Sequence, residues 1–193
     1  MYYLVQMDTR LTSDFIYFRN DPENYRVKLW ITGEPLQAPP GDITLVADDE
    51  KPSAVSDLVL ARVDIQIHSP KLVQALQAAG VDNIEYFPVT LIDKKRGVTR
   101  TDYQVANIIG KVACLDVDHS EAPKMLNGNG YRSVKKFRLL EDQIKPLPGT
   151  TTPPQLFRLA EFSFHVIAHE SLKNKLEQAG VTGIEFIRTE DVT

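Results

Sequence analysis

The phrase LQAAGVDNIEYF at residues 76–87 returns one hundred positions later as LEQAGVTGIEFI at residues 176–187. Most positions that are identical at this offset carry side chains that pack in a core or residues that permit a turn. The identical pairs are Ile67/Ile167, Leu72/Leu172, Leu76/Leu176, Ala79/Ala179, Gly80/Gly180, Val81/Val181, Ile84/Ile184 and Glu85/Glu185. Because what repeats is mostly architectural, this repetition constrains the fold more than any other feature of the chain.

The first copy has the pattern of a strand, a helix and a second strand. Residues 65–68 alternate apolar and polar side chains, as a half-buried strand does. Ser69 and Pro70 are typical of a helix start. The serine oxygen can accept a hydrogen bond from a free backbone amide, and proline has no amide hydrogen that would need an acceptor. Gly80 follows the apolar stripe at the position where a left-handed residue ends a helix. The sequence therefore predicts a duplicated strand–helix–strand unit over about 64–89 and 164–187.

A helix of about ten residues is marginal in water, so each predicted helix must pack on a sheet. Crossovers of this length can join parallel strands in the right-handed sense. Further strands are predicted in three segments that lie between the units or lead into the second: 101–116, 133–140 and 156–168. The expected fold class is α+β, a mixed β-sheet with few short helices.

The N-terminal third is rich in strand-forming residues and turn signals. Strands are predicted in YYLV (2–5), YRVKLWI (25–31) and DITLVA (42–47). The polar stretch DDEKPS (48–53) marks a candidate boundary. It divides a β-rich acidic region, 1–52, from an α+β domain with the internal repeat, 53–193.

The net charge of −4 is unevenly distributed along the chain. Residues 1–60 carry five basic and ten acidic side chains, residues 61–150 carry thirteen and ten, and residues 151–193 carry four and six. An acidic first third does not favour nucleic acid, whose phosphates require a basic surface. It is compatible with a basic protein partner or with an ordinary solvated face.

Candidate catalytic and metal-ligating residues do not form a convincing pattern. His165 and His169 have helical zinc spacing, but they fall where a strand leads into a helix. Asp116, Asp118 and Ser120 begin like a calcium loop, but Glu121 replaces its glycine and Asn127 its bidentate glutamate. We therefore expect neither an enzyme nor a metal or cofactor site, and a buried, inert thiol at Cys114. The absence of a signal-like start and of a long apolar run favours the cytoplasm and argues against membrane insertion.

The order of several phrases resembles immunity-protein family eleven of bacterial polymorphic toxin systems. The phrases are HSPKLVQALQAAGVDNIEYFPV, YQVANIIGKVACLD with a following serine, LFRLAEF and, near the end, TGIEF. They cover about residues 53–193, and their combined order is more specific than any one phrase. The sequence departs from the family at His169, where serine is expected, and residues 1–50 match only loosely. These differences leave open the capping of the second helix and the role of the N-terminal third.

The resemblance implies a non-enzymatic inhibitor that binds a cognate secreted toxin, and it is compatible with a nuclease as that toxin. Acidic side chains could then imitate phosphate and guide the encounter. The residues expected to contact the toxin are Asp48, Asp49, Glu50, Asp116, Asp118 and Glu121. A self-associating structural or ligand-binding module, including a homodimer, remains the alternative, followed by a small enzyme with a site near His165 or His169.

Overall fold

The computed structural model describes residues 1–8, 30–37, 41–47, 56–61, 65–94 and 96–193. In this part of the chain short strands dominate, with two α-helices of nine residues each. The α+β class with mixed sheets and few short helices is confirmed. Neither helix has the length and apolar character needed to cross a membrane.

Thirteen strands are described, and they are numbered in chain order. They are β1 (Tyr2–Met7), β2 (Ile43–Ala47), β3 (Leu58–Ala61), β4 (Ile65–His68), β5 (Ile84–Asp93), β6 (Val98–Arg100), β7 (Gln104–Ile108), β8 (Lys111–Val112), β9 (Leu115–Asp116), β10 (Arg138–Leu139), β11 (Leu156–Leu159), β12 (Val166–His169) and β13 (Ile184–Arg188). The helices are α1 (Pro70–Ala78) and α2 (Glu170–Gln178). Short 3₁₀ turns occupy Val117–His119, Glu141–Gln143 and Thr189–Asp191.

The first sheet has the order β2-β5-β7-β4-β3, with β6 also paired to β5. Strand β7 is antiparallel to both β4 and β5, whereas β2 is parallel to β5. Strands β4 and β5 therefore run parallel to each other with β7 between them. Helix α1 joins these two strands, and it begins where the Ser69 side chain accepts a hydrogen bond from the Leu72 amide.

The second sheet has the order β13-β1-β12-β11-β8. Strand β1 is antiparallel to both β12 and β13, and α2 joins those two strands. A third, two-stranded sheet pairs β9 with β10. Since β1 lies inside the second sheet and β2 pairs with β5, the sheets take strands from both sides of the predicted boundary.

The two strand–helix–strand segments share strand order and register. Ile67 lies opposite Val105 in the first sheet, and Ile167 lies opposite Leu4 in the second. In the same way, Ile84 pairs with Ile108 and Ile184 pairs with Met7. Helices α1 and α2 end before Gly80 (φ 86°) and Gly180 (φ 64°), which adopt the expected left-handed conformation. The duplication itself stays a prediction, to which this common register lends support.

The two helices pack against each other in one apolar cluster. Leu72 and Leu76 of α1 and Leu172 and Leu176 of α2 are all buried there. Lys71, in the first turn of α1, donates to the Gly180 carbonyl that follows α2. Lys175 of α2 donates to the Ala79 carbonyl that follows α1, so each helix offers positive charge to the carbonyl end of the other, where the helix dipole favours it.

Several strand predictions can be compared with the structure. The strands predicted at 2–5 and 42–47 are confirmed as β1 and β2. Trp30 and Ile31 form a turn rather than the end of a strand, so that part of the prediction is wrong. Trp30 is nevertheless buried against Phe87, because an indole contributes apolar area whatever its backbone does. Residues 25–29 and the predicted boundary at 48–53 lie outside the described residues.

Candidate functional site

The six residues predicted to contact a partner fall into two groups. Asp48, Asp49 and Glu50 lie outside the described residues. Asp116 ends β9, Asp118 lies in the 3₁₀ turn that follows, and Glu121 begins a hairpin that spans residues 121–136. Only this second group can be placed in the structure.

Asp116 is held by neighbours in its own chain. Its carboxylate is 3.0 Å from Nδ1 of His119 and 3.9 Å from Nε of Arg138. The hydrogen bond from His119, helped by the positive charge of Arg138, lowers the pKa of Asp116. Ser120 donates to the Asp116 carbonyl oxygen and accepts from the Arg138 amide, which ties β9 to β10. Both Asp116 and Ser120 therefore have structural roles.

The other two acidic side chains differ in what they offer to a partner. Glu121 pairs with Lys136 at 3.2 Å, and its backbone forms an antiparallel bridge with Lys135. Asp118 is exposed in its 3₁₀ turn and makes no ion pair within the described chain. The stretch is thus a mixed-charge surface, because most of its negative charge is matched by its own bases.

An open cleft of about 900 Å³ borders this stretch. Its lining comes from the chain start, the 3₁₀ turn after β9, β10 with its flanking residues, and the turn after β13. The lining residues are Met1, Tyr2, His119, Lys136, Phe137, Arg138, Leu139, Leu140, Glu141, Asp142, Thr189 and Glu190.

The cleft combines exposed apolar side chains with charges of both signs. Met1 and Leu140 are 52% and 39% exposed. Lys136 lies just before β10 and Arg138 lies on it. Glu141 and Asp142 follow β10, and Glu190 lies in the turn after β13. Apolar contacts surrounded by a charged rim are typical of surfaces that bind proteins. The cleft is therefore the best candidate for a partner-binding site among the described residues.

A second cavity of about 470 Å³ lies between the two sheets and contains a residue that the sequence analysis missed. Arg158 is only 1% exposed, and its guanidinium donates to the carbonyls of Ser163 and Trp30 at 2.8 Å each. Its apolar neighbours in the segment LFRL could have indicated that Arg158 is buried. A charged residue in a buried strand must find hydrogen-bond acceptors inside the protein. Through these hydrogen bonds Arg158 links β11 to the loop before β12 and to the turn at Trp30.

The two histidines considered as zinc ligands have other partners. Nε2 of His165 is 2.8 Å from the Val134 carbonyl oxygen, and its ring stacks on Phe137. His169 occupies the N-cap of α2, where its Nδ1 accepts from the Ser171 amide. Histidine thus replaces the expected serine as the cap. Within the described ranges no cluster of histidine, cysteine and acidic residues could hold a metal ion.

Cys114 is buried as the sequence predicts. Burial, with a smaller contribution from the charge of Glu161, raises the pKa of its thiol to about 12. At neutral pH the sulfur is therefore protonated, which makes it a poor nucleophile and a poor metal ligand.

Comparison with known proteins now adds to this geometry. A model of the immunity protein family Imm11 matches residues 5–191, nearly the whole chain. The match begins well before the phrases that carry the resemblance in the sequence, so it includes the N-terminal third. A search of curated proteins gave no match. On the strength of the family match, the chain belongs to the immunity protein family Imm11.

Proposed function

We propose that this protein binds a cognate antibacterial toxin and neutralises it by covering the toxin's active or substrate-binding surface. The observation that carries the proposal is the family match over residues 5–191. In this proposal the protein acts by binding rather than by catalysis, in the cytoplasm of the cell that makes the toxin. A nuclease is the proposed class of toxin, since the acidic first third of the chain suits a basic substrate-binding face.

The proposed contact surface is the cleft beside β10. It offers Leu140 as an exposed apolar contact and both signs of charge around it. Charged rims mainly set the association rate and exclude wrong partners, whereas buried apolar contacts slow dissociation. Asp48, Asp49 and Glu50, which lie outside the described residues, remain proposed contacts. Asp118 remains one as well, because nothing in the described chain pairs with it.

The function is tested by co-expressing the protein in bacteria with the toxin encoded beside it, followed by co-purification. Growth rescue together with a stable complex, with a Kd of about a nanomolar or below, is the expected result. Rescue without a complex would contradict neutralisation by binding and would indicate an enzyme that reverses the damage. Neither rescue nor a complex, with every toxin encoded nearby, would contradict the proposed function.

The cleft is tested in the same assay with a matched pair of substitutions. Leu140→Arg places a bulky charge at the cleft and is expected to abolish rescue. Val98→Arg makes the same change at an exposed position of β6, 47% exposed, and is expected to leave rescue intact. Equal rescue by both variants would exclude the cleft from the toxin-binding surface.

A further inference from the structure

The hairpin of residues 121–136, called the basic hairpin below, carries at its tip a surface that does not line the proposed cleft. Its two arms are joined by antiparallel bridges between Glu121 and Lys135 and between Lys124 and Tyr131. At its tip, the Met125 amide donates to the Gly130 carbonyl at 3.0 Å, and the Gly128 amide donates back to the Met125 carbonyl at 2.9 Å. The tip is therefore an ordered turn.

The base of the basic hairpin is fixed to the core. Val134 is 1% exposed, and its carbonyl oxygen lies 2.8 Å from Nε2 of His165. Ala122 and Tyr131 pack against the apolar cluster under β11 and β12. Because its base is held in this way, the hairpin can present its tip to a partner with little loss of conformational entropy.

The tip itself is apolar and exposed. Leu126 is fully exposed and Met125 is 46% exposed. A single exposed leucine is ordinary on a protein surface. Here, however, two neighbouring large apolar side chains stand at the end of an ordered, projecting turn, and this shape fits a pocket on another molecule better than a flat surface.

The net charge of the basic hairpin is positive. Glu121 pairs with Lys136, which leaves Lys124, Arg132 and Lys135 exposed and without a carboxylate partner among the described residues. Lys136 also lines the cleft, so the base of the hairpin adjoins the cleft. A partner surface that complements this hairpin carries acidic side chains around an apolar pocket.

We propose that the basic hairpin docks into an acidic-rimmed apolar pocket on the toxin, with Leu126 and Met125 in the pocket, Lys124 and Arg132 on its rim and Lys135 further away at the base of the hairpin. This inference rests on the proposed function and adds the chemistry of the partner surface. Protein is favoured over nucleic acid because the tip carries aliphatic side chains, whereas single-stranded nucleic acid is bound by aromatic platforms. The only aromatic residue of the hairpin, Tyr131, is partly buried against the apolar cluster.

The test measures association and dissociation rates of the purified protein with a catalytically inactivated form of the neighbouring toxin. Leu126→Ala is expected to raise koff about tenfold or more with little change in kon. Combined replacement of Lys124, Arg132 and Lys135 by Gln is expected to lower kon about tenfold at low salt and to flatten its salt dependence. Val98→Ala is the control for apolar truncation at an exposed site. Leu126 buries nothing in the free protein, so its variant should unfold at the wild-type temperature.

Three outcomes would overturn the inference, and they are distinguishable. A wild-type complex whose rates change less than twofold in both hairpin variants contradicts the hairpin alone and leaves the proposed function standing. No wild-type complex contradicts the proposed function and the hairpin with it. Wild-type binding to random-sequence DNA that the triple Gln variant loses, with unchanged toxin rates, assigns the hairpin to nucleic acid instead.

Discussion

The two strand–helix–strand segments have the same strand register but different chemistry at equivalent positions. In the first, β4 carries Gln66 and His68 on the face that meets the helices, and β5 carries Tyr86. One hundred residues later the same positions hold Val166, Ala168 and Phe186. His68 lies 3.1 Å from Gln66 Oε1 and 3.3 Å from the Tyr86 hydroxyl.

This difference indicates what the shared register requires and what it leaves free. Burial of a polar side chain is costly unless that side chain finds an internal hydrogen-bond partner. Three polar side chains can therefore stand where the other segment has three apolar ones only if they hydrogen-bond to each other. His68 is 2% exposed and satisfies that condition through both ring nitrogens. The second segment fills the same space with apolar side chains that need no such pairing.

The residue before β3 and the residue before β11 also occupy equivalent positions with different chemistry. Asp57 and Gln155 each accept, at their backbone carbonyl, a hydrogen bond of 2.8 Å from the N-cap residue of a helix. The Asp57 carboxylate binds Ser69 of α1 and Thr182, in the loop after α2. The Gln155 amide binds Ser171 of α2 and the carbonyl of Ala79, after α1. Each side chain thus links the start of one helix to the end of the other.

The charged member of this pair has a pH signature. Burial on its own would raise the pKa of Asp57, but hydrogen bonds from Ser69 and Thr182 and the charge of Lys71 outweigh it and lower that pKa. A carboxylate with a lowered folded-state pKa adds stability above its unfolded-state pKa and loses it as the solution becomes more acidic. Gln155 does not titrate, so only one of the two links weakens in acid.

The largest expected effect comes from shortening the equivalent leucines that pack between the two helices. Leu72 and Leu172 are 1% and 0% exposed in one cluster, so Leu72→Ala and Leu172→Ala should each cost about 2–5 kcal/mol of unfolding free energy. The two losses should agree within about 1 kcal/mol if the segments are mechanically equivalent. Urea denaturation at neutral pH measures both, with Leu126→Ala as an exposed control expected within about 0.5 kcal/mol of wild type. A large loss of unfolding free energy from one substitution and almost none from the other would contradict the equivalence of the two segments.

The second prediction concerns the buried histidine of the first segment. Burial lowers the pKa of His68 from 6.5 to about 3, so the folded protein excludes a proton that the unfolded chain binds. The stability that depends on a neutral His68 is therefore fully present above pH 6.5 and is lost as the pH falls towards 3. Between pH 7 and pH 5 this amounts to about 2 kcal/mol.

The variant that isolates this effect is His68→Gln, whose amide offers a donor and an acceptor but does not titrate. Urea denaturation at pH 7 and pH 5 should give a smaller loss of stability on acidification in the variant than in the wild type. The difference between the two losses is the contribution of His68. Equal losses in both proteins would mean that another group carries the acid sensitivity.

Local features of the helices could be predicted because they depend on neighbouring residues. Ser69, Pro70 and Gly80 mark the ends of α1 through interactions within a few positions, and the predicted helix agrees with α1. The position of β1 between β12 and β13 could not be predicted in this way, because its partners lie more than 160 residues away. The turn at Trp30 has a similar cause, since its carbonyl is held by Arg158.

The candidate site was less predictable than the fold. Sequence gives the charge of Asp116 and Glu121, but their basic partners, Arg138 and Lys136, are brought to them only when the hairpin folds back. The excess of positive charge on residues 121–136 is diluted in the charge count for residues 61–150, because nothing in the sequence marks the bounds of this segment as one hairpin. The toxin-contact role of all six acidic residues stays a prediction.

The smallest expected effect concerns the two helix caps, Ser69 and His169. An imidazole can accept the Ser171 amide only while Nδ1 carries no proton, whereas the Ser69 hydroxyl accepts at any ordinary pH. Burial, with the positive charge of the chain's amino terminus, lowers the pKa of His169 and keeps Nδ1 available near neutrality. His169→Ser should therefore leave the unfolding free energy within about 0.5 kcal/mol of wild type at pH 8, and His169→Ala should cost about 1 kcal/mol. Because a lowered histidine pKa means stability lost on acidification, the serine variant should gain on the wild type as the pH falls below about 6.5. The measurement is thermal unfolding of the wild type and the two variants between pH 8 and a pH below 6.5. A serine variant as unstable as the alanine variant at pH 8 would mean that His169 stabilises α2 through its ring contact with Tyr2 rather than as a cap.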